Sequence, residues 1–405
     1  GVDTSRYPVQ LFAGWRNQPT EYARRHQEEF LRQGAAFLAE LIEKNDAVQL
    51  YDPAALRKVV RQRWSWVRQS CGLPAEQPAD DTAAPPVENG PLVSVVLPTF
   101  NSVEVISSAI DSVLAQTYAN WELLVINDDG SDDGTAEIVQ LYGLLDSRIH
   151  LIQAESRLGL AESLNHGIRC AQGKYIARLD ADDTSHPTRF AKQVALMESQ
   201  PDVGICGTWQ HHYGPNRDWV HRATADEQLL RCRLIFWCDL CHSTLMLRRS
   251  TFIEYELFFD NTHFAEDYEL WTRAMFVTRI VNIPEVLGEY YEGTSNITAG
   301  KLDDLIEESG QLSSAVLNRA LGMTLSYEDG RLLRSWRNPF QNAPDRREKL
   351  DQLKALLRRV WEANQDKQAF DDTALLQVIA AKWHWAADGM DWKYTDYRVS
   401  TIDDA

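Results

Sequence analysis

"LVSVVLPTFN", residues 92–101, is a short apolar run that ends in a polar loop. Its unbroken Val and Leu content suits a strand covered on both faces. "VEVISSAIDSVLAQ" (103–116) follows, with Ile106, Ala109, Ile110, Val113 and Leu114 on one helical face. "WELLVIND" (121–128) reads as a second buried strand, and "DDGSDDGTAEIVQLY" (128–142) as a loop entering a helix. "IHLIQ" (149–153), "GLAESLNHGIRCAQG" (159–173) and "KYIARLD" (174–180) continue as strand, helix and strand. This alternation predicts an α/β domain: a Rossmann-like, mostly parallel sheet with flanking helices. In such sheets ligands sit beyond the carboxyl ends of the strands.

Outward from this block the texture changes on both sides. Residues 1–71 read as helical, with Phe30, Leu31, Phe37, Leu38, Leu41 and Ile42 spaced by three and four. Asp52 and Pro53 give a helix-start signal before "AALRKVVRQRWSWVRQS". Residues 72–90 are rich in Pro, Ala and acidic side chains and read as a linker. The α/β domain is expected over 91–300, and a second helical region over 301–405. In the latter, Leu350, Leu353, Leu357, Val360 and Trp361 share a face, and Asp371 or Asp372 caps a last helix.

The net charge of −18 over 405 residues argues against nucleic acid as a partner, because phosphate backbones need clustered Lys and Arg. No uncharged run is long enough to span a bilayer. No secretory signal is visible, and six scattered cysteines do not make a disulfide scaffold, so a reduced, cytoplasmic protein is expected. The segment 53–70 reverses the local charge with Arg57, Lys58, Arg61, Arg63 and Arg68 around Trp64 and Trp66. Two readings stand: peripheral docking on the inner face of a membrane, a lipid-linked acceptor or an anionic glycan, or packing on the acidic body. Charge runs are more often solvated faces, which favours the second.

Three polar loops, "PTFN" (98–101), "NDDGS" (127–131) and "DADD" (180–183), each follow a predicted strand and should gather on one rim. Carboxylates collected there suit a hard divalent cation; Mg²⁺ is typically held by one or two carboxylates plus substrate phosphates. In an extended segment Asp180 and Asp182 would face the same way and address one ligand.

"VSVVLPTFN", "AIDSVLAQTYANWELLVINDDGSDDGT", "GLAESLNHGIRCAQGKYIARLDADDTSHPTRFAKQV" and "FAEDYELWTRA" together resemble glycosyltransferase family 2, inverting nucleotide-sugar enzymes with the GT-A fold. The resemblance covers roughly residues 92–292, and the ordered co-occurrence carries it rather than any one motif. It implies that Pro98, Thr99 and Asn101 line a nucleotide pocket and that Asp129, with Asp128 beside it, meets a uracil or thymine base. It implies that Arg178, Asp180 and Ala181 flank the nucleotide and ribose, and that Asp182 with Asp180 holds Mg²⁺ or Mn²⁺ against the diphosphate. Asp267, next to Glu266, would take the acceptor hydroxyl proton, and His242 would contact donor or acceptor or be structural. The implied partners are a nucleotide-sugar donor, with uridine favoured, and a glycan, lipid-linked or protein acceptor in bacterial surface-glycan assembly or protein glycosylation. One stretch departs from relatives: "LGEYYEGTSNIT" (287–298) has Tyr290, Tyr291, Glu292 and Gly293 where they often carry an Arg-x-His-like pair near the diphosphate.

Other readings weigh less. Asp129, Ser131, Asp133 and Gly134 fit half a calcium loop, but the twelfth position is Gln140 and the flanks are strand and helix. "CDLCH" (238–242) matches haem attachment without export, and Cys232, Cys238, Cys241 and His242 lack zinc-site spacing. The Trp residues of "WHWAADGMDWKY" (383–394) could stack on sugars but are more often core. A metal-dependent nucleotidyltransferase would carry a basic Gly-rich loop that "PTFNS" lacks; a non-catalytic carbohydrate-binding scaffold would be expected to lose Asp182 or Asp267.

Overall fold

The computed structural model describes residues 26–49, 51–73, 90–215, 217–292, 302–333 and 344–388. Residues 1–25, linker residues 74–89, Gly293 with the rest of its loop, and the Trp-cluster residues beyond 388 lie outside the described residues. By its contacts the chain forms two units, residues 1–195 with 287–291 and residues 196–286 with 292–405. This division falls within the stretch 91–300.

In the first unit every residue of β1 (Val93–Thr99) is buried. β1 runs parallel to both β2 (Trp121–Asn127) and β4 (Tyr175–Arg178), and β2 runs parallel to β3 (Ile149–Gln153). The apolar runs thus form a parallel sheet ordered β3-β2-β1-β4, with β3 at the edge. Helices α3 (Ile106–Leu114), α4 (Thr135–Leu145) and α5 (Gly159–Cys170) connect them. α5 lies so close to β1 that a Cβ on Gly167 would fall 2.3 Å from Val96 Cγ1. After β4 the two-residue β5 (Thr184–Ser185) pairs antiparallel with the end of β9 (Arg279–Tyr291), Thr184 opposite Glu289.

The N-terminal helices α1 (Gln27–Val48) and α2 (Pro53–Ser70) belong to this unit. α1 buries Phe30, Leu31, Phe37, Leu38 and Ile42, as its spacing predicts, and packs on α4. Asp52 caps α2, its carboxylate accepting the Ala55 N–H at 2.7 Å. Part of the basic face of α2 turns inward, while Lys58 stays exposed. Arg57 donates to Leu144 O and Arg61 to Leu145 O, both at 2.9 Å, where cations favour the C-terminal end of α4. These contacts realise the packing reading of segment 53–70, and they lend the membrane reading no support.

Arg68, 1% exposed, is ion-paired with Asp111 on α3, and the Tyr142 hydroxyl donates to Asp111 at 2.7 Å. Burial raises the Asp111 pKa above the usual carboxylate value, and Arg68 opposes that shift. Removing one partner of such a pair leaves an uncompensated buried charge. Arg68→Met is therefore expected to cost about 3–5 kcal/mol in urea unfolding, and a double Arg68→Met/Asp111→Leu variant to recover much of it.

α6 (Arg189–Ser199) leads into the second unit. There β6 (Val203–Gly214) pairs antiparallel with β7 (Arg217–His221) and β8 (Met246–Arg248). The helices are α7 (Glu227–Arg233), α8 (Arg249–Glu254), α9 (Glu266–Ala274), α10 (Leu302–Leu321), α11 (Tyr327–Leu333), α12 (Arg346–Lys367) and α13 (Asp372–Asp388). α12 buries Leu353, Leu356, Leu357 and Val360; Leu356 replaces the expected Leu350 at the core of its face. Asp371 caps α13 by accepting the Ala374 N–H at 2.9 Å. Among the described residues no helix is long and apolar enough to cross a membrane.

Candidate active site

The first unit places its polar loops at the carboxyl ends of β1, β2 and β4. Pro98 and Thr99 are buried at the end of β1, whereas Phe100 and Asn101 are exposed. Asn101 takes a left-handed backbone (φ 48°), which Asn tolerates. It ties the first loop to the second: its N–H donates to Ser131 Oγ at 3.1 Å, and its Oδ1 accepts the Asp132 N–H at 3.2 Å.

The neighbours Asp128 and Asp129 have different fates. Asp128 is 3% exposed and accepts the N–H groups of Asp129, Leu158 and Gly159 at 2.9, 2.7 and 3.0 Å. It also pairs with Arg157 at 3.0 Å, so its carboxylate is committed to holding the start of α5. Asp129 is the exposed member of the pair. Two neighbouring residues were not singled out from sequence. The Arg157 guanidinium lies 3.5 Å from the ring centre of Phe100, and Arg157 Nη1 donates to Asp129 O at 3.4 Å. Phe100 inside "PTFN" was the available signal; Arg157 offered none, because its partners lie far away in sequence.

"DADD" is a tight turn rather than the expected extended segment: the Asp183 N–H donates to Asp180 O at 3.3 Å. Asp183, 1% exposed, faces the end of β9 and accepts the Tyr291 N–H at 3.3 Å. Arg178, 3% exposed, is ion-paired with Asp180. The Asp182 pKa is raised, first by burial and second by the Asp180 charge. A cation bound here would offset the repulsion between the two carboxylates. Among the described residues no group of three or more His, Cys, Asp or Glu could hold a metal. A hard cation at this turn would need phosphate oxygens and water to complete its shell.

In the second unit, Glu266 and Asp267 open α9. The Asp267 side chain is 32% exposed, and its Oδ1 accepts the Tyr268 N–H at 2.6 Å. The helix N-terminus favours its ionised form. His242 Nδ1 lies 3.8 Å from Asp267 Oδ2, and the His242 ring packs on Phe259 and Trp271 at 5.5 and 5.7 Å. His242 is thereby positioned by α9 and beside its carboxylate. Glu269 is taken up by Arg273 at 2.7 Å. Burial first and the Asp267 charge second push the Cys238 thiol up. The departing stretch after β9 is anchored by Glu292, which accepts Trp219 Nε1–H at 3.0 Å and pairs with Arg217 at 3.0 Å.

The sequence model described as "Glycosyl transferase family 2" matches residues 94–256. An uncharacterized glycosyltransferase of Haemophilus influenzae is 32% identical over 50% of this chain and 66% of its own length, a little under two thirds. The Escherichia coli UDP-Glc:alpha-D-GlcNAc-diphosphoundecaprenol beta-1,3-glucosyltransferase WfgD is 31% identical over 56% of this chain and 87% of its own. Among solved structures, Staphylococcus aureus TarS 1–349 in complex with UDP-GlcNAc superposes with a TM-score of 0.50 at 16% identity, over 77% of this chain and 88% of that one. That likeness assigns the architecture to the GT-A fold.

Proposed function

The chain belongs to glycosyltransferase family 2, and from that premise we propose that it transfers a sugar from a nucleoside diphosphate to an acceptor hydroxyl with inversion. The observation that carries this reading is the turn that sets Asp182 close to Asp180, where burial and then the Asp180 charge raise the Asp182 pKa and a bound cation would offset that repulsion. Asp182 and Asp180 would hold Mg²⁺ or Mn²⁺ together with the donor's phosphate oxygens. Bound there, the metal would offset the negative charge of the leaving diphosphate. Asp129 would accept a hydrogen bond from the base, with Phe100 and Arg157 beside it, and Arg178 would keep Asp180 oriented.

In the reaction the acceptor oxygen forms a bond to the anomeric carbon as the bond from that carbon to the phosphate oxygen breaks. The acceptor proton passes to Asp267, and the nucleoside diphosphate leaves. One displacement with one base inverts the anomeric centre. By similarity to the Escherichia coli enzyme named above, we take uridine as the base and a lipid-diphosphate-linked saccharide as the acceptor class. The six free cysteines support a reducing, cytoplasmic setting.

The reading is tested by incubating the protein with Mn²⁺, UDP-glucose or UDP-GlcNAc, and a GlcNAc-diphospholipid, and determining the anomeric configuration of the product by NMR. An inverted product is expected; a retained configuration refutes the mechanism. Arg157→Ala is expected to weaken UDP binding about 3- to 30-fold in calorimetry, the range of a partly desolvated cation–π contact. Unchanged affinity would remove Arg157 from the nucleotide site.

A further inference from the structure

α9 begins without a side-chain cap, because its N-cap residue is Ala265. Such a helix start is usually fixed by Ser, Thr, Asp or Asn. Here a carboxylate from α10 supplies the acceptor instead. Glu308 Oε2 accepts the Ala265 N–H at 2.7 Å, and Glu308 Oε1 lies 2.6 Å from His263 Nδ1. The Glu308 side chain is only 14% exposed. Upstream, Asp260 Oδ1 accepts the Thr262 N–H at 2.9 Å and its hydroxyl at 2.7 Å. The loop that delivers Asp267 is therefore pinned on both sides of Phe264.

The grip extends along the helix. The Arg319 guanidinium lies 4.3 Å from the ring centre of Phe276, just past α9. From Glu308 to Arg319, α10 rises about 16 Å, close to the span of α9 and its C-terminal turn. The two helices thus run side by side in the same direction, with contacts near their starts and their ends.

We propose that Glu308 is a positioning residue for Asp267, so that the helical region after residue 300 belongs to the catalytic machinery rather than being an appended module. This rests on the reading of Asp267 as the base. Glu308 fixes where the first turn of α9 begins, and through it the place and direction of the Asp267 carboxylate. Displacement of a catalytic group by about 1 Å can cost about 100-fold in rate.

The test compares wild type, Glu308→Ala, Glu308→Gln, Asp267→Asn and the Glu308→Ala/Asp267→Asn double variant, all as full chains. Hydrogen exchange by mass spectrometry reads the loop directly. Glu308→Ala is expected to speed exchange in peptides covering 263–268 about 10-fold or more, with UDP affinity unchanged. In UDP release from UDP-glucose, kcat is expected to fall about 10- to 100-fold with the donor KM held. Glu308→Gln, which keeps an acceptor for Ala265, should recover part of both. The double variant should be no slower than Asp267→Asn alone. Unchanged exchange in Glu308→Ala, or unchanged kcat while Asp267→Asn is inactive, overturns the role of Glu308. Near-normal turnover in Asp267→Asn overturns the base assignment instead.

Discussion

Asp267→Asn is expected to bind UDP and Mn²⁺ as the wild type does and to transfer sugar about 10²- to 10⁴-fold more slowly, the usual contribution of a positioned general base. The nucleophile is a neutral hydroxyl, so the rate depends on a group that can take its proton as the new bond forms. Asp267 fits that role by three independent features. It stands in the first turn of α9, where the helix dipole favours the carboxylate. It is one-third exposed, so an acceptor can reach it. His242 sits 3.8 Å away and packs against Trp271 of the same helix, which limits the orientations open to the carboxylate. Asparagine preserves size and hydrogen bonding and removes only the capacity to accept the proton. The check is a pair of measurements on one preparation, UDP affinity by calorimetry and turnover by UDP release. Near-normal turnover would take the base role away from Asp267.

Asp182→Ala is expected to abolish the metal-dependent part of UDP binding and to slow transfer by about 10³-fold or more, since a metal at a developing negative charge is worth several kcal/mol. The Asp182 pKa is raised because burial first, and the Asp180 charge second, oppose the ionised form more than Arg178 favours it. Asp182→Asn should behave like Asp182→Ala, because the charge matters more than the volume. Asp183→Asn gives the contrast. Its carboxylate is 1% exposed and holds the Tyr291 N–H, so the variant should lose stability while its UDP binding still responds to Mn²⁺. Mn²⁺-dependent UDP affinity in Asp182→Ala equal to that of wild type would remove Asp182 as a ligand.

Much of the fold was legible because β1 is a continuous apolar run, β2 is nearly so, and α3 has a clean apolar face. Val93–Thr99 and Ile106–Val113 needed no tertiary information to be assigned. The helical ends were equally readable from spacing and from Asp52 and Asp371 as caps. What periodicity could not show is how identical neighbours diverge. Asp128 and Asp129 differ only in that one side chain faces the N–H groups at the start of α5, a contact across some thirty residues. Asp183 differs from Asp182 because the end of β9, more than a hundred residues on, presents an N–H to it. The Arg157–Phe100 stack and the Glu308 contacts were invisible for the same reason: each joins residues distant in sequence whose types are common on any surface. The turn at Ala181–Asp182 was misread as extended because Asp suits both a strand end and a turn.

The central claim, that the first unit binds a nucleoside diphosphate through a metal held by the Asp180–Asp182 turn, is tested most directly by calorimetric titration of UDP into the wild-type protein with and without Mn²⁺. Saturable binding that requires Mn²⁺ is the predicted result. Equal binding without the metal, or no binding of UDP, GDP, dTDP or CMP in its presence, would contradict it.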